Sequence, residues 1–564
     1  MQAKEQLDQI ADAIWQLRLD RDPNLTRKQG LPVQHIPKGN LEEAEADQSF
    51  AKEKLNLVRQ IQKEALPYED QLTLDFMEDQ LQWMARKTEI WWADFPVTPY
   101  TVYWLKTYAV DLFAPFVMKN KYDAELYYKL LIDFGDAIKA MTCKLEMQAN
   151  KGWYLPLPAL HPILAMLKNL KETLPLYLEV SERRTQALEP AWAKRWIHNV
   201  QHVVKTQVQQ ELQRLITYLA SDDYRLKCPD RVGMGQYKGG LDTYQLYIRM
   251  NVSYDIAPEK IHDIGLEQVH LLTEQMREVR AQMKFHGSES DFLEHIREAG
   301  ILYAQSPVEV EERYQYHMRR IEPLMKDYFL KLPVSEYSVK RLDPALEAGM
   351  TYGYFEAPSL LRSVGTYHYN GSGLETRPQL TAATLIYHEL IPGHHLQVAL
   401  QHENQQLHPI RRETLELIGY LEGWAEYGAG LPREMGLYDN PYDWYGRLVH
   451  ERFISQRLVI DTGMNALGWS LQQARDYMKK TTIESDVQIA SETLRYSTDL
   501  PAQALSYRLG YLKFMELRNR AQQGLGARFD IKQFHDAVLS TGPLPLSILE
   551  DHVKRFIQHK GELN

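Results

Sequence analysis

Along most of the chain apolar residues return every three or four positions, the period of an amphipathic helix. The pattern predicts helices over residues 1–20, 41–66, 69–92, 121–150, 185–220, 258–284, 307–331, 444–460, 470–480 and 500–522. Clusters of Pro, Gly and Asn at 22–40, 151–162, 229–242 and 285–290 separate them. Pro258 followed by Glu259 marks one clear helix start, since the first turn has no use for the missing N–H and favours an acid. Between Val334 and Asn370 the pattern changes. The segment VSEYSVKRLDPALEAGMTYGYFEAPSLLRSVGTYHYN mixes β-branched and aromatic residues with Pro and Gly, which predicts a few short strands. The expected fold is therefore mainly α, with one small β-sheet.

Composition alters this picture little. Apolar residues make up 44% and charged residues 25% of 564, the balance of an ordinary soluble globular protein. Lys and Arg number 65 against 75 Asp and Glu, and no basic run offsets the resulting charge of −10, which argues against a nucleic-acid partner. Two cysteines, Cys143 and Cys228, cannot build a thiolate metal cage. The first residues, MQAKEQLDQIADAIWQLRLDRDP, form a charged amphipathic pattern without an apolar core, and no run approaches eighteen apolar residues. No membrane segment is expected. As written the chain reads as cytoplasmic, or as periplasmic or secreted if it is a mature form. The glycines of GMGQYKGG (233–240) lack the lysine–serine pair of a phosphate loop, and no G-x-S-x-G elbow appears.

Candidate chemistry gathers at residues 387–397, YHELIPGHHLQ. In a zinc hydrolase motif two His stand four apart on one helix face, and a Glu beside the first serves as general base. Here the fourth position after His388 is Pro392, which cannot donate to the His388 carbonyl and presses against it. Gly393 then permits an unusual backbone, so the helix is expected to widen or break. In a straight helix His394 would stand roughly 240° round from His388, and His395 nearly on its face but about 10 Å further along. A Pro–Gly bulge would bring His394 beneath His388; His395 is the alternative.

A third ligand is sought in LEGWAEY, where Glu422 follows His388 by 34 positions and Glu426 by one helical turn more. An acid inside an apolar, aromatic helix is costly unless paired or on a metal. Glu422 is the expected ligand, and Glu426 either orients a His or substitutes as ligand. Gly423 is expected to let this helix approach the first. Two His, one carboxylate and an open position suit one zinc ion, with Glu389 as general base. Further along, Tyr507 is a candidate oxyanion donor, and Arg495 an anchor either for a peptide carboxylate or for a residue that supports the site. Tyr367 and Asn370, in SVGTYHYN, are candidates for binding substrate. The rivals are a mononuclear non-haem iron protein, which has no need of a base beside its first ligand, and a non-catalytic peptide- or metal-binding protein.

HELIPGHHLQ followed by EGWAEYGAGLPREMGLY resembles the domain-of-unknown-function 885 family, bacterial proteins placed near the glutamate-liganded zinc peptidases. LPYEDQLTLDFMEDQL (66–81), GGLDTYQLYIRMNVSYDIAPEKIHDIGLEQV (239–269) and LRYSTDLPAQALSYRLGYLKFMELR (494–518) are similar to its recurring blocks. The related tubulin-detyrosinating peptidases similarly stretch the His spacing and use an EGLA-type acid, which favours Glu422 over Glu426. PAQA at 501–504 departs from the more usual PGQA, and GAGL after EGWAEY lacks an acid that members often carry. The resemblance implies a gluzincin-type, zincin-like body with a deep groove. Residues 1–330 would form one helical wall, and 331–564 would hold the strands and site helices. It also implies short peptides as substrates, cut near a C-terminus.

Overall fold

The computed structural model describes residues 2–347 and 353–562. Helices dominate, and most follow the periodicity closely. Gln2–Arg21, Lys121–Asn150, Pro258–Gln282 and Leu471–Thr481 begin and end within two residues of expectation. Others are divided. The stretch expected over 69–92 forms two helices, Tyr68–Met84 and Lys87–Ala93. That expected over 185–220 begins at Pro190, where the Glu189 carboxylate accepts the N–H groups of Ala191 and Trp192. It widens into a π-helix over Val204–Gln209 before continuing to Ala220. The helix expected over 41–66 ends at Val58, with a single 3₁₀ turn following at Lys63–Ala65.

The chain divides into two compact units. The first comprises residues 1–70, 77–244 and 494–501, and the second 71–76, 245–493 and 502–564. Helices build the first unit. The longest, Lys121–Asn150, buries a stripe that includes Leu130, Leu131, Phe134, Ile138 and Leu145.

The second unit holds the expected strands and the candidate site. Among its elements are α1 (Pro258–Gln282), α2 (Pro307–Ile321), β1 (Tyr337–Arg341), β2 (Gly353–Glu356), β3 (Gly365–Tyr369), α3 (Ala382–Glu389), α4 (His394–Glu403), α5 (Ile418–Gly430), α6 (Pro441–Asn465), α7 (Leu505–Leu525) and α8 (Ile531–Leu539). The sheet has the order β1-β3-β2, with β3 parallel to β1 and antiparallel to β2. The expected strand region therefore forms one three-stranded sheet, its residues 348–352 lying outside the described ones. Helix α6 is buried on nearly every face, and α1 packs along it, with His262 on α1 bonded to Thr462 at 2.9 Å. Helices α5 and α7 cross at glycines. A Cβ on Gly510 would stand 2.2 Å from the Gly419 carbonyl and 2.7 Å from Gly423 Cα, so only bare backbone fits there.

Candidate metal centre

The site begins where the helical pattern is interrupted. Helix α3 stops at Glu389, and α4 starts at His394 after a cis Ile391–Pro392 bond. The expected break thus takes the form of a four-residue turn, Leu390–Gly393, between two helices. A side chain at Gly393 would stand 1.9 Å from the His388 carbonyl, so the turn closes tightly on α3. Trp424 Nε1 on α5 donates to the Pro392 carbonyl at 3.0 Å and fixes the turn from below. Gly428, not Gly423, gives α5 this closeness, since its Cβ would lie 2.9 Å from Pro392 O. Gly423 instead faces Gly510 on α7, correcting the sequence expectation that it serves the approach to the first His helix.

The turn swings His394 back toward His388, their ring centres 4.7 Å apart and nearly perpendicular. Glu422 on α5 completes the group. Its Oε2 lies 3.4 Å from His388 Nε2 and 3.3 Å from His394 Nε2, and this buried oxygen has no hydrogen-bond partner. A tetrahedral zinc ion with bonds near 2.0–2.1 Å sets its ligand atoms about 3.4 Å apart. A charge-assisted N–H···O bond would be nearer 2.8 Å. These separations match the edges of a tetrahedral site more closely than a charge-assisted hydrogen bond, and the three residues could hold a metal ion.

Glu426, one turn beyond Glu422, is fully buried and met by nitrogen donors of Arg447 and His450. Arg447 Nη1 reaches its Oε2 at 3.0 Å, and His450 Nε2 its Oε1 at 2.6 Å. His388 Nδ1 stands 3.0 Å from the same Oε1, at hydrogen-bond distance but not hydrogen-bond angle. Burial would raise the Glu426 pKa, but His450, Arg447 and His388 hold it well below the ordinary carboxylate range. Burial would likewise lower the His388 pKa, but Glu426 and Glu422 outweigh it and lift the imidazole to about 10. Glu389 behaves in the opposite way: burial pushes its pKa up, against the pull of His388 and His394. The carboxylates around His388 make the pocket attractive to a cation.

A family model described as "Bacterial protein of unknown function (DUF885)" matches residues 23–553. The chain belongs to the DUF885 family. Among solved structures, this DUF885 chain is similar to a "putative lipoprotein" from Colwellia psychrerythraea. That match has 23% identity and a TM-score of 0.87, covering 99% of this chain and 100% of that one. A second, a "putative lipoprotein of unknown function" from Shewanella oneidensis, matches at 16% identity and a TM-score of 0.69, over 97% and 99%. Both share the fold. No curated protein matches the chain.

In this DUF885 fold His388, His394, Glu422, Glu426 and Tyr507 come together. The Tyr507 ring lies parallel to that of His388, 6.4 Å away, and Arg457 covers it at 4.7 Å. His395 turns away: its Nε2 meets the Ser335 carbonyl at 3.0 Å, and its ring packs between Tyr337 and Phe355. Tyr367 is buried on β3 against Tyr314, and Asn370 shapes a turn by bonding the Glu347 carbonyl and Ser372. Arg495, in the first unit, places its guanidinium over the Tyr100 ring at 5.5 Å. Sequence reasoning missed Arg447 and His450. Both lie in a segment whose period matches any amphipathic helix, and their spacing of three was the available signal.

Proposed function

We propose that this DUF885 chain is a zinc-dependent, gluzincin-type hydrolase of peptide amide bonds in short peptides. The observation that carries the reading is the pair of 3.3 and 3.4 Å separations around the unbonded Glu422 Oε2. In this reading His388 Nε2, His394 Nε2 and Glu422 hold one zinc ion. When bound, zinc supplies Lewis acidity and makes a water in its open position acidic near neutral pH. Glu389, beside the first ligand, takes a proton at its carboxylate and returns it to the leaving amine. Burial raises its pKa above the ordinary carboxylate range, the direction that helps it hold the proton between the two transfers. The Tyr507 hydroxyl donates to the oxyanion that forms on the scissile carbonyl.

Metal analysis of the purified chain tests this reading. It predicts one zinc per chain, lost in His394→Ala and in Glu422→Gln but retained in His395→Ala. Stoichiometric iron in place of zinc, or full zinc content in His394→Ala, would overturn it.

A further inference from the structure

Glu426 is the most deeply enclosed acid of the centre, yet it is not one of the atoms meeting at Glu422 Oε2. A carboxylate at this depth is costly unless each oxygen is matched. Arg447 takes one oxygen at 3.0 Å and also donates to the Glu426 backbone carbonyl at 3.1 Å. His450, three residues further along the same face of α6, takes the other at 2.6 Å. Arg447 is itself held by Thr384 at 3.1 Å and by Glu451 at 2.9 Å, and Arg508 closes the chain on Glu451 at 2.7 Å.

His388, Glu426 and His450 also have the spacing of a second cation site. The distances decide against one. A 2.6 Å contact is a charge-assisted hydrogen bond, well below the tetrahedral edge of about 3.4 Å. Arg447 moreover already balances the carboxylate. What the group can do is orient His388. An imidazole that offers Nε2 to a metal must carry its proton on Nδ1, and a fixed acceptor beside Nδ1 selects that tautomer. Arg447 alone would leave the Glu426 oxygen facing His388 free to turn away; a second donor pins it.

We propose that His450 is a positioning residue, which by donating from Nε2 to Glu426 Oε1 holds that carboxylate against His388 Nδ1 and keeps His388 Nε2 free for the metal. His388 Nδ1 already stands 3.0 Å from that oxygen, so rotation of the ring turns its N–H toward an acceptor that is fixed in place.

The inference rests on the zinc-site reading, so its test reads zinc affinity, by chelator competition on the full chain. His450→Leu keeps the volume without a donor and is expected to weaken zinc binding about ten- to hundredfold. His450→Gln returns an N–H to the same carboxylate and is expected to recover most of that loss, which a role in packing alone would not produce. Unchanged affinity in His450→Leu overturns the tether while leaving the zinc site standing. Equal losses in the Leu and Gln variants overturn it too, and a wild-type chain that binds no zinc overturns both readings. Should His450→Leu fail to fold, His450→Ser, too short to reach the carboxylate, takes its place in the comparison.

Discussion

At the scale of single residues, one oxygen atom organises the centre. Glu422 Oε2 is buried and unbonded, and faces two imidazole nitrogens at separations too long for hydrogen bonds between charged partners. Burial would raise the Glu422 pKa, but His394 and His388 hold it well below the ordinary carboxylate range, so the carboxylate stays charged where the two imidazole nitrogens converge. A different buried group offers a check on the electrostatics. His535 on α8 donates from Nδ1 to the Tyr328 carbonyl, and its Nε2 pairs with the Tyr427 hydroxyl, both at 2.8 Å, an arrangement that suits a neutral ring with its proton on Nδ1. Burial, aided by Arg518, lowers its pKa to about 3. The unfolded chain takes up that proton near pH 6.5, before the folded one does. His535 thus favours the fold above pH 6.5, and this contribution declines as pH falls toward 3. Between about pH 7 and pH 5 the expected loss is roughly 2 kcal/mol. Urea unfolding at the two pH values should show His535→Phe less stable at the higher pH but less sensitive to acid than the wild type. An identical acid dependence in both would contradict this assignment.

At the scale of elements, the centre depends on where helices stop and how closely they cross. The Leu390–Gly393 turn moves His394 from the wrong side of a straight helix to a place beside His388. The α5–α7 crossing sets the height of Glu422, because Gly419, Gly423 and Gly510 allow backbone contact. Gly510→Ala would push a methyl into the Gly419 carbonyl and is expected to cost about 2 kcal/mol or more. Gly430→Ala, whose nearest neighbour would be Tyr511 Cε2 at 3.8 Å, should be tolerated; thermal unfolding of the pair distinguishes them. Much of this was legible in sequence. Helical period located α1 and α6, the β-branched stretch foretold the sheet, and Pro392–Gly393 announced the break between α3 and α4. The partner of Gly423 was not legible, because a small residue signals close approach without saying to what. Nor was the role of Arg447 and His450. Charges on a helix read as a solvated face, and only the fold shows α6 enclosed, its cations meeting Glu426 from a separate helix.

At the scale of the whole molecule, one family match runs from residue 23 to residue 553 and so spans both compact units. Every residue proposed to hold the ion, and Glu389 and Tyr507 with them, lies in the second unit, while Arg495 lies in the first. Among the described residues no helix is long and apolar enough to cross a membrane. A buried run of charge pairs joins Glu426, Arg447, Glu451 and Arg508 beside the candidate centre. Such a network keeps a metal centre rigid without being part of it. The central claim is that Glu389 serves as the base of a zinc hydrolase, and it is tested most directly by Glu389→Gln, assayed together for zinc content and for cleavage of a library of short peptides. The account predicts one zinc per chain in both proteins, cleavage by the wild type, and a loss of at least about a hundredfold in the variant. A wild type that cleaves no peptide, or a Glu389→Gln variant that retains full activity, would contradict it.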